Sequence, residues 1–264
     1  MLVNGRNSDM LPVLDRGLLY GDGLFETISF IDGEAPLWER HMARLSGACR
    51  RLGIAMPDAA VLQGEAASLV SAAREVVKIL VTRGQGGHGY FPGDGETTRI
   101  LYARPWPARE RDGIRAHLCR TRLATGSPLA GLKSLNRLEQ VLAAREAQLA
   151  GCEEAILCDA GGVLVEGLMS NLFWVSGGRL FTPSLEQCGV AGVMRDFVLE
   201  AAARAGIDVR VVRRGPEALD EAGAVFLTNA LGLTRVSECN GNNYDVDAVP
   251  IEITAAINTL LKQE

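Results

Sequence analysis

The chain is expected to be a mixed α/β (α+β) protein of two domains, and three observations carry that expectation. Its 264 residues are on the long side for one core, because cores stop growing near roughly 250–300 residues and chains then divide. Strand and helix signals alternate through the first third of the chain. Beyond the proline-bearing, charged stretch "PWPARERDG" the texture changes to short strands joined by tight glycine turns. We place the boundary there, with an N-terminal small domain over 1–108 and a larger C-terminal domain over 109–264.

In chain order, "LFETISFI" (Leu24 to Ile31) is strand-like and leads into the turn Asp32-Gly33. "LWERHMARLSGACRRLG" repeats apolar residues at helical spacing until Gly53 stops it. A second helix is expected from Asp58 to Arg74. "VVKILVTRG" and "TTRILYARPW" read as strands on either side of a glycine-rich loop, taken as mobile. From Leu135 onward, Leu135, Leu138, Val141 and Leu142 fall at helical spacing and predict a helix with one buried face. "EAILCD", "VLVEG" and "NLFWVSGGRLFT" are short strands linked by Asp-Ala-Gly-Gly and Ser-Gly-Gly turns. Two more helices are expected near Gly192 to Ala205 and at the carboxyl terminus, with "AVFLTNALG" as a strand ending in a polar turn. No internal repeat or low-complexity tract is found.

Composition excludes several classes. Hydrophobic residues make up 47% and charged residues 22%, which suits a packed globular protein rather than a disordered one. The net charge of −5 and the lack of a basic stripe argue against nucleic acid as a partner. "MLVNGRNSDMLPV" lacks a basic segment followed by an apolar stretch, and nowhere do 18 apolar residues run consecutively. We therefore expect a cytoplasmic protein with no membrane partner. The six cysteines form no C-x-x-C pair and read as reduced thiols. His41, His88 and His117 are too dispersed to suggest a metal, so none is expected.

Each candidate site has a plain reading beside its chemical one. "RGQGGHGY" satisfies G-x-G-x-x-G after a strand, but "YFPGDGETT" follows, and its Pro92, Gly93 and Gly95 do not continue as the helix a dinucleotide needs. Lys133 follows a glycine and sits between leucines. It is either a lysine snorkelling to solvent or an amine whose charge is poorly solvated and which serves as a nucleophile. Glu166 is a single carboxylate in an apolar strand and needs a cationic or hydrogen-bonding partner; a structural salt bridge is the alternative. Gly189 and Gly192 precede a helix whose free N–H groups suit an anion such as phosphate, unless they form an ordinary turn. Thr228-Asn229-Ala230 is a second polar turn able to donate to the same anion, and Arg44 offers a charged fork. Together these meet the requirements of pyridoxal phosphate: an imine partner, a partner for the pyridine nitrogen and a phosphate cup.

"YGDGLFETI", "HMARL", "AGLKSLNRLEQVLA", "EAILCDAGGVLVEGLMSNLFWV", "LFTPSLEQCGVAGVMR" and "FLTNALG" also resemble, in that order, the fold type IV pyridoxal-phosphate enzymes. That family includes branched-chain and D-amino acid aminotransferases and aminodeoxychorismate lyases. The likeness runs from about Asn4 to about Ala230, and "GLKSLNRLEQV" and "FET" are particularly similar to the lyases.

The resemblance implies a set of roles. Lys133 matches the lysine that holds the cofactor covalently, and Glu166 matches the acid paired with the pyridine nitrogen. Arg44, Val193, Met194, Thr228 and Asn229 match phosphate-contacting positions, and Ser170 and Asn171 match residues lining the cofactor. Thr27 stands where the lyases carry a threonine beside the reacting carbon. Arg83 and Tyr90 are candidates for the substrate's carboxylates. The chain departs from many relatives after Asn229, reading "ALGLTRVSE" in place of a proline-containing segment. The implied activity is elimination of pyruvate from 4-amino-4-deoxychorismate to give 4-aminobenzoate for folate synthesis. A branched-chain or D-amino acid aminotransferase is the alternative, and a non-catalytic α/β binding protein a more distant one. A homodimer is implied as well.

Overall fold

The computed structural model describes residues 1–107 and 113–263. Packing divides it into two compact units, the first made of Met1–Pro107 together with Leu132–Asn136, the second of the remaining described residues. Most of the charged stretch expected as a linker lies outside the described residues. One short piece breaks the linear order: Leu132–Asn136, with Lys133, packs in the first unit, not in the C-terminal domain where the sequence places it. The cause is backbone pairing. The Phe25 N–H donates to the Lys133 carbonyl at 2.9 Å and the Leu135 N–H to the Gly23 carbonyl at 2.9 Å, forming an antiparallel bridge between Leu24 and Ser134.

In the first unit, β1 (Leu2–Val3), β2 (Arg6–Asn7), β3 (Gly23–Ile31), β4 (Arg74–Thr82) and β5 (Thr98–Pro105) form an antiparallel sheet in the order β2-β1-β5-β4-β3. Its helices are α1 (Arg16–Tyr20), α2 (Trp38–Leu52) and α3 (Ala59–Leu69). Helix α2 carries Glu39 in its first turn and Arg50 and Arg51 in its last, complementing the helix dipole. Gly53, in the left-handed region at φ 62°, closes it. Asp58 caps α3 by accepting from the Ala60 and Val61 N–H groups. The helix ends at Leu69, short of the expected Arg74, because the Glu75 carboxylate takes the N–H groups of Ser71 and Ala72 and turns the chain into β4. Alternation along the strands buries Glu26, Ile28, Val77 and Ile79 on one face, whereas Phe25, Thr27 and Lys78 on the other remain half-buried.

The second unit contains β6 (Ile114–Leu123), α4 (Leu138–Leu149), β7 (Glu154–Asp159), β8 (Leu164–Gly167), β9 (Asn171–Ser176), β10 (Arg179–Pro183), α5 (Val193–Arg204), β11 (Val209–Val212), α6 (Glu217–Asp220), β12 (Ala224–Asn229), β13 (Gly232–Cys239), β14 (Asn242–Asn243) and α7 (Ile251–Leu260). The strand path is β11-β10-β9-β12-β13-β6-β7-β8, and β8 pairs again with β9. The path therefore closes on itself, and the ladder pair at the closure is Glu166 with Asn171. Leu172, Trp174, Val225, Leu227 and Ile156 fill one core cluster. Phe173 and Phe226 stack at 5.1 Å, worth about 0.5–1.5 kcal/mol beyond their burial.

Two expectations fail here for physical reasons. Strand β6 is not among the expected elements, because a register irregularity between Leu118 and Arg122 breaks its alternation. Helix α4 buries Ala143 and Ala147, while Leu138, Val141, Leu142 and Leu149 are 71%, 60%, 52% and 81% exposed. The apolar stripe thus faces outward, and the small alanine face lies along β6 and β7. Among the described residues no helix is long and apolar enough to cross a membrane.

Candidate active site

In the first unit, β3 presents its residues to two different environments. Glu26 is buried and accepts from Arg44 Nε at 2.8 Å and from His41 Nδ1 at 2.7 Å, both on α2. Burial alone would raise its carboxyl, but the charge of Arg44 and the hydrogen bonds of both partners outweigh that and hold it at about 2. Burial holds the His41 imidazole below its ordinary value, against the pull of Glu26. Arg44, read from sequence as a phosphate contact, is thus seated on α2 by an ion pair to β3. His41 and Glu26 were not singled out from sequence; the i, i+3 spacing of His41 and Arg44 on one helix was the available signal.

Lys133 lies outside regular secondary structure, ahead of α4, with buried Leu132 and Ser134 on either side. Its amine sits 4.5 Å from the Phe25 ring centroid. Gly23 permits this segment to dock: a Cβ there would come within 2.8 Å of the Leu135 side chain and 2.7 Å of the Val81 carbonyl. Thr27 lies two residues beyond Phe25 and so shares its face of the sheet.

Arg83 is committed elsewhere. Its Nε and one terminal nitrogen hold the Asp22 carboxylate at 2.8 and 3.1 Å, and its terminal nitrogens hold the carbonyls of Gly53 at 2.6 Å and Leu52 at 2.7 Å. Asp22 also receives Arg16 Nε at 2.9 Å. Burial raises the Asp22 carboxyl, but the hydrogen bonds and charges of the two arginines prevail and lower it. Arg16 fastens the glycine-rich loop, donating to the carbonyls of Gly89 at 2.9 Å and Tyr90 at 3.2 Å. Those two bonds fasten the loop at its backbone. The Tyr90 ring is exposed and rests 5.4 Å from that of Tyr20.

In the second unit, Glu166 and Asn171 grip a single residue. The Val190 N–H donates to Glu166 Oε2 at 2.7 Å, and the Val190 carbonyl accepts from Asn171 Nδ2 at 2.9 Å. Gly131 joins the same turn, donating to the Gly189 carbonyl and accepting from the Ala191 N–H; Lys133 follows two residues later in the chain. The Ser170 hydroxyl reaches Glu154 at 3.5 Å.

Val193 and Met194 open α5, whose N-cap Gly192 supplies no side-chain cap, so the N–H groups of the first turn remain available to an anion. A Cβ on Gly192 would lie 1.8 Å from Asn171 Oδ1. Thr228 is buried and its Oγ1 has no hydrogen-bond partner among the described residues, a cost unless a ligand accepts from it. Asn229 Oδ1 accepts from the Leu231 N–H at 2.9 Å and shapes the turn between β12 and β13. An uncapped helix start and an orphaned buried hydroxyl are what a phosphate group would satisfy, so the residues present fit the expected cofactor.

His117, Cys119 and Glu146 also bring potential metal-ligand atoms within 4.8 Å of one another. Glu146 already accepts from the Arg120 N–H at 2.7 Å, the Thr121 N–H at 3.0 Å and the Thr121 hydroxyl at 2.9 Å, besides His117 at 3.2 Å. It anchors the irregularity in β6.

A family model described as Amino-transferase class IV matches residues 23–239. The chain belongs to the class IV aminotransferase family. The matched span begins at the first residue of β3 and ends at the last of β13, which includes Thr27, Lys133, Glu166 and Thr228. Among solved structures, 4-amino-4-deoxychorismate lyase from Pseudomonas aeruginosa matches with a TM-score of 0.91 and 42% identity, covering 98% of each chain. The aminodeoxychorismate lyase of Vibrio harveyi is 34% identical over 252 residues, 93% of this chain and 93% of its own. A putative branched-chain-amino-acid aminotransferase of Methanocaldococcus jannaschii is 37% identical over 209 residues, 75% of this chain and 72% of its own. The class IV family and the fold type IV architecture expected from sequence are thus both found.

Proposed function

We propose that this class IV protein is a pyridoxal-phosphate-dependent lyase that eliminates pyruvate from 4-amino-4-deoxychorismate and leaves 4-aminobenzoate. The observation that carries the reading is an amine and a hydroxyl on one face of a sheet: Lys133 over Phe25, with Thr27 two residues along the strand. Identity over the full length supports the lyase: the solved lyase of Pseudomonas aeruginosa is 42% identical over 98% of each chain, whereas the solved branched-chain aminotransferase of Escherichia coli, matched over 99% of this chain and 95% of its own, is 26% identical.

Lys133 would carry the cofactor covalently, with Glu166 toward the pyridine nitrogen and Ser170 and Asn171 along the ring. Arg44, Thr228, Asn229 and the α5 start at Val193 and Met194 would hold the phosphate. Pyridoxal phosphate supplies an electron sink for charge developed at the carbon bearing the substrate amine. Lys133, once free, removes the proton from C4 of the substrate. Cleavage of the C3–O bond then aromatises the ring, and the enolpyruvyl oxygen leaves with a proton returned by Lys133 or Thr27. The products are pyruvate and 4-aminobenzoate, with no water or oxidant consumed.

Purified protein with pyridoxal phosphate and aminodeoxychorismate should release pyruvate with no oxo-acid acceptor. Glutamate formation from an amino acid and 2-oxoglutarate, without pyruvate release, would replace this reading with the aminotransferase one. A homodimer is part of the proposal, supported by the exposed apolar stripe on α4. So is a cytoplasmic setting, supported by six free cysteines, and a place in folate synthesis follows from the product.

A further inference from the structure

Two lysine amines converge on one aromatic ring. Lys133 Nζ lies 4.5 Å from the Phe25 centroid and Lys78 Nζ 4.8 Å from it, so the two nitrogens are no farther apart than these distances taken together. Lys78 arrives from β4, whose register sets it beside Thr27 of β3 on one side and Tyr102 of β5 on the other. Thr27, Lys78 and Tyr102 therefore form a row across the half-buried face that also carries Phe25.

Among the described residues, nothing acidic answers the charge of Lys78. Its amine is pushed below its ordinary value by burial and by the positive charge of Arg104, which itself lies 5.1 Å over the Tyr102 ring. No ion pair joins Lys78 to a carboxylate among the described residues. A partly desolvated cation beside a second cation is unfavourable on its own, and an incoming anion offsets that cost.

We propose that Lys78 is a specificity-determining residue that binds the ring carboxylate of the substrate while the substrate's amine occupies the position at Lys133. The inference rests on the lyase reading above. In 4-aminobenzoate and its precursor, the carboxylate stands across the six-membered ring from the amine. Lys78, a second cation on the face that carries Phe25, is placed to meet it. A simple branched-chain amino acid has no such distant anion, so Lys78 favours the lyase substrate over that amino donor.

The test uses full-length Lys78→Gln and Lys78→Arg loaded with pyridoxal phosphate. Loss of one charge-assisted hydrogen bond should raise KM for aminodeoxychorismate and weaken 4-aminobenzoate binding by about tenfold or more, with kcat within about threefold. Pyruvate, which lacks the ring carboxylate, should bind both proteins alike, and Lys78→Arg should recover most of the lost affinity. Borohydride trapping of cofactor on Lys133 should be unaffected, and an unchanged melting temperature should show that the variant is folded; Lys78→Met replaces Lys78→Gln if it is not. Equal 4-aminobenzoate affinity by calorimetry in wild type and Lys78→Gln overturns the inference, whether or not pyruvate is released. Absence of pyruvate release by the wild type overturns the lyase reading instead.

Discussion

Phe25 holds Lys133 at both ends: its N–H donates to the Lys133 carbonyl at 2.9 Å, and its ring lies 4.5 Å from the Lys133 amine. The backbone bond fixes where the side chain starts, and the ring gives the amine an apolar, weakly attractive surface. A lysine so placed loses less freedom on reaching its working position. Lys133→Ala should abolish the covalent cofactor adduct trapped by borohydride and lower turnover by about a thousandfold or more, as removal of a positioned base does. Mass spectrometry of the trapped protein checks it; an adduct on another residue would move the nucleophile elsewhere.

Thr228 offers a test that separates binding from folding. Its Oγ1 is buried without a partner, so Thr228→Val removes an unsatisfied hydroxyl and should leave the stability of the cofactor-free protein equal or slightly higher. Affinity for pyridoxal phosphate should fall by about tenfold, the value of one hydrogen bond to a charged group. Paired denaturation and cofactor titrations read the two effects apart. Loss of stability with unchanged affinity would make the residue structural.

Acid should weaken the first unit in two stages. His41 is held below its ordinary 6.5 and Glu26 at about 2 against an ordinary 4.5. In both cases the unfolded chain binds protons first, so stability falls as pH falls. The loss begins below 6.5 with His41 and continues from 4.5 down to 2 with Glu26. Glu26→Gln should cost about 3 kcal/mol at neutral pH, because Arg44 loses its buried partner. It should also flatten the lower stage; urea melts across this range measure both.

Arg83 is expected to act on stability rather than on substrate. Replacing its fork, as in Arg83→Lys, breaks the contacts with Asp22, Leu52 and Gly53 and should cost about 2 kcal/mol. KM should move by less than about twofold, within what an indirect effect produces. A large rise in KM with unchanged melting temperature would restore it as a carboxylate ligand.

The outward face of α4 predicts association. Leu138→Glu with Leu142→Glu places charges in an apolar stripe, and in a dimer such a change disfavours contact. Sedimentation should show a shift from dimer to monomer. If the wild type is already monomeric at micromolar concentration, the dimer proposal is removed.

Much of this molecule was legible in its sequence where a local pattern and a long-range partner agreed. Strand β3 and helix α2 announced themselves by period and by the glycines that end them. Glu166 stood out as a lone carboxylate among apolar residues, and it does meet a hydrogen-bond donor, the backbone of Val190. Helix α4 was recognised as a helix yet turned the wrong way, since period shows that a stripe exists and not which side packs. Arg83 resembled a substrate fork because one sequence cannot show that Asp22 and the end of α2 already occupy it. Lys78 was invisible as a site: its meaning comes from the cross-strand row with Thr27 and Tyr102, a relation of register and not of spacing.

The short segment Leu132–Asn136, bridged to β3 at Ser134, also bears on the making of this protein. Until Asn136 has been synthesised, the outer edge of β3 at Gly23 and Phe25 lacks its backbone partner, although every other strand of that sheet is already in place. An open strand edge is a template for pairing with another chain. A chain that ended before Leu132 would present that edge of β3 without its partner. A fragment cut at Pro107 would remain in that condition permanently.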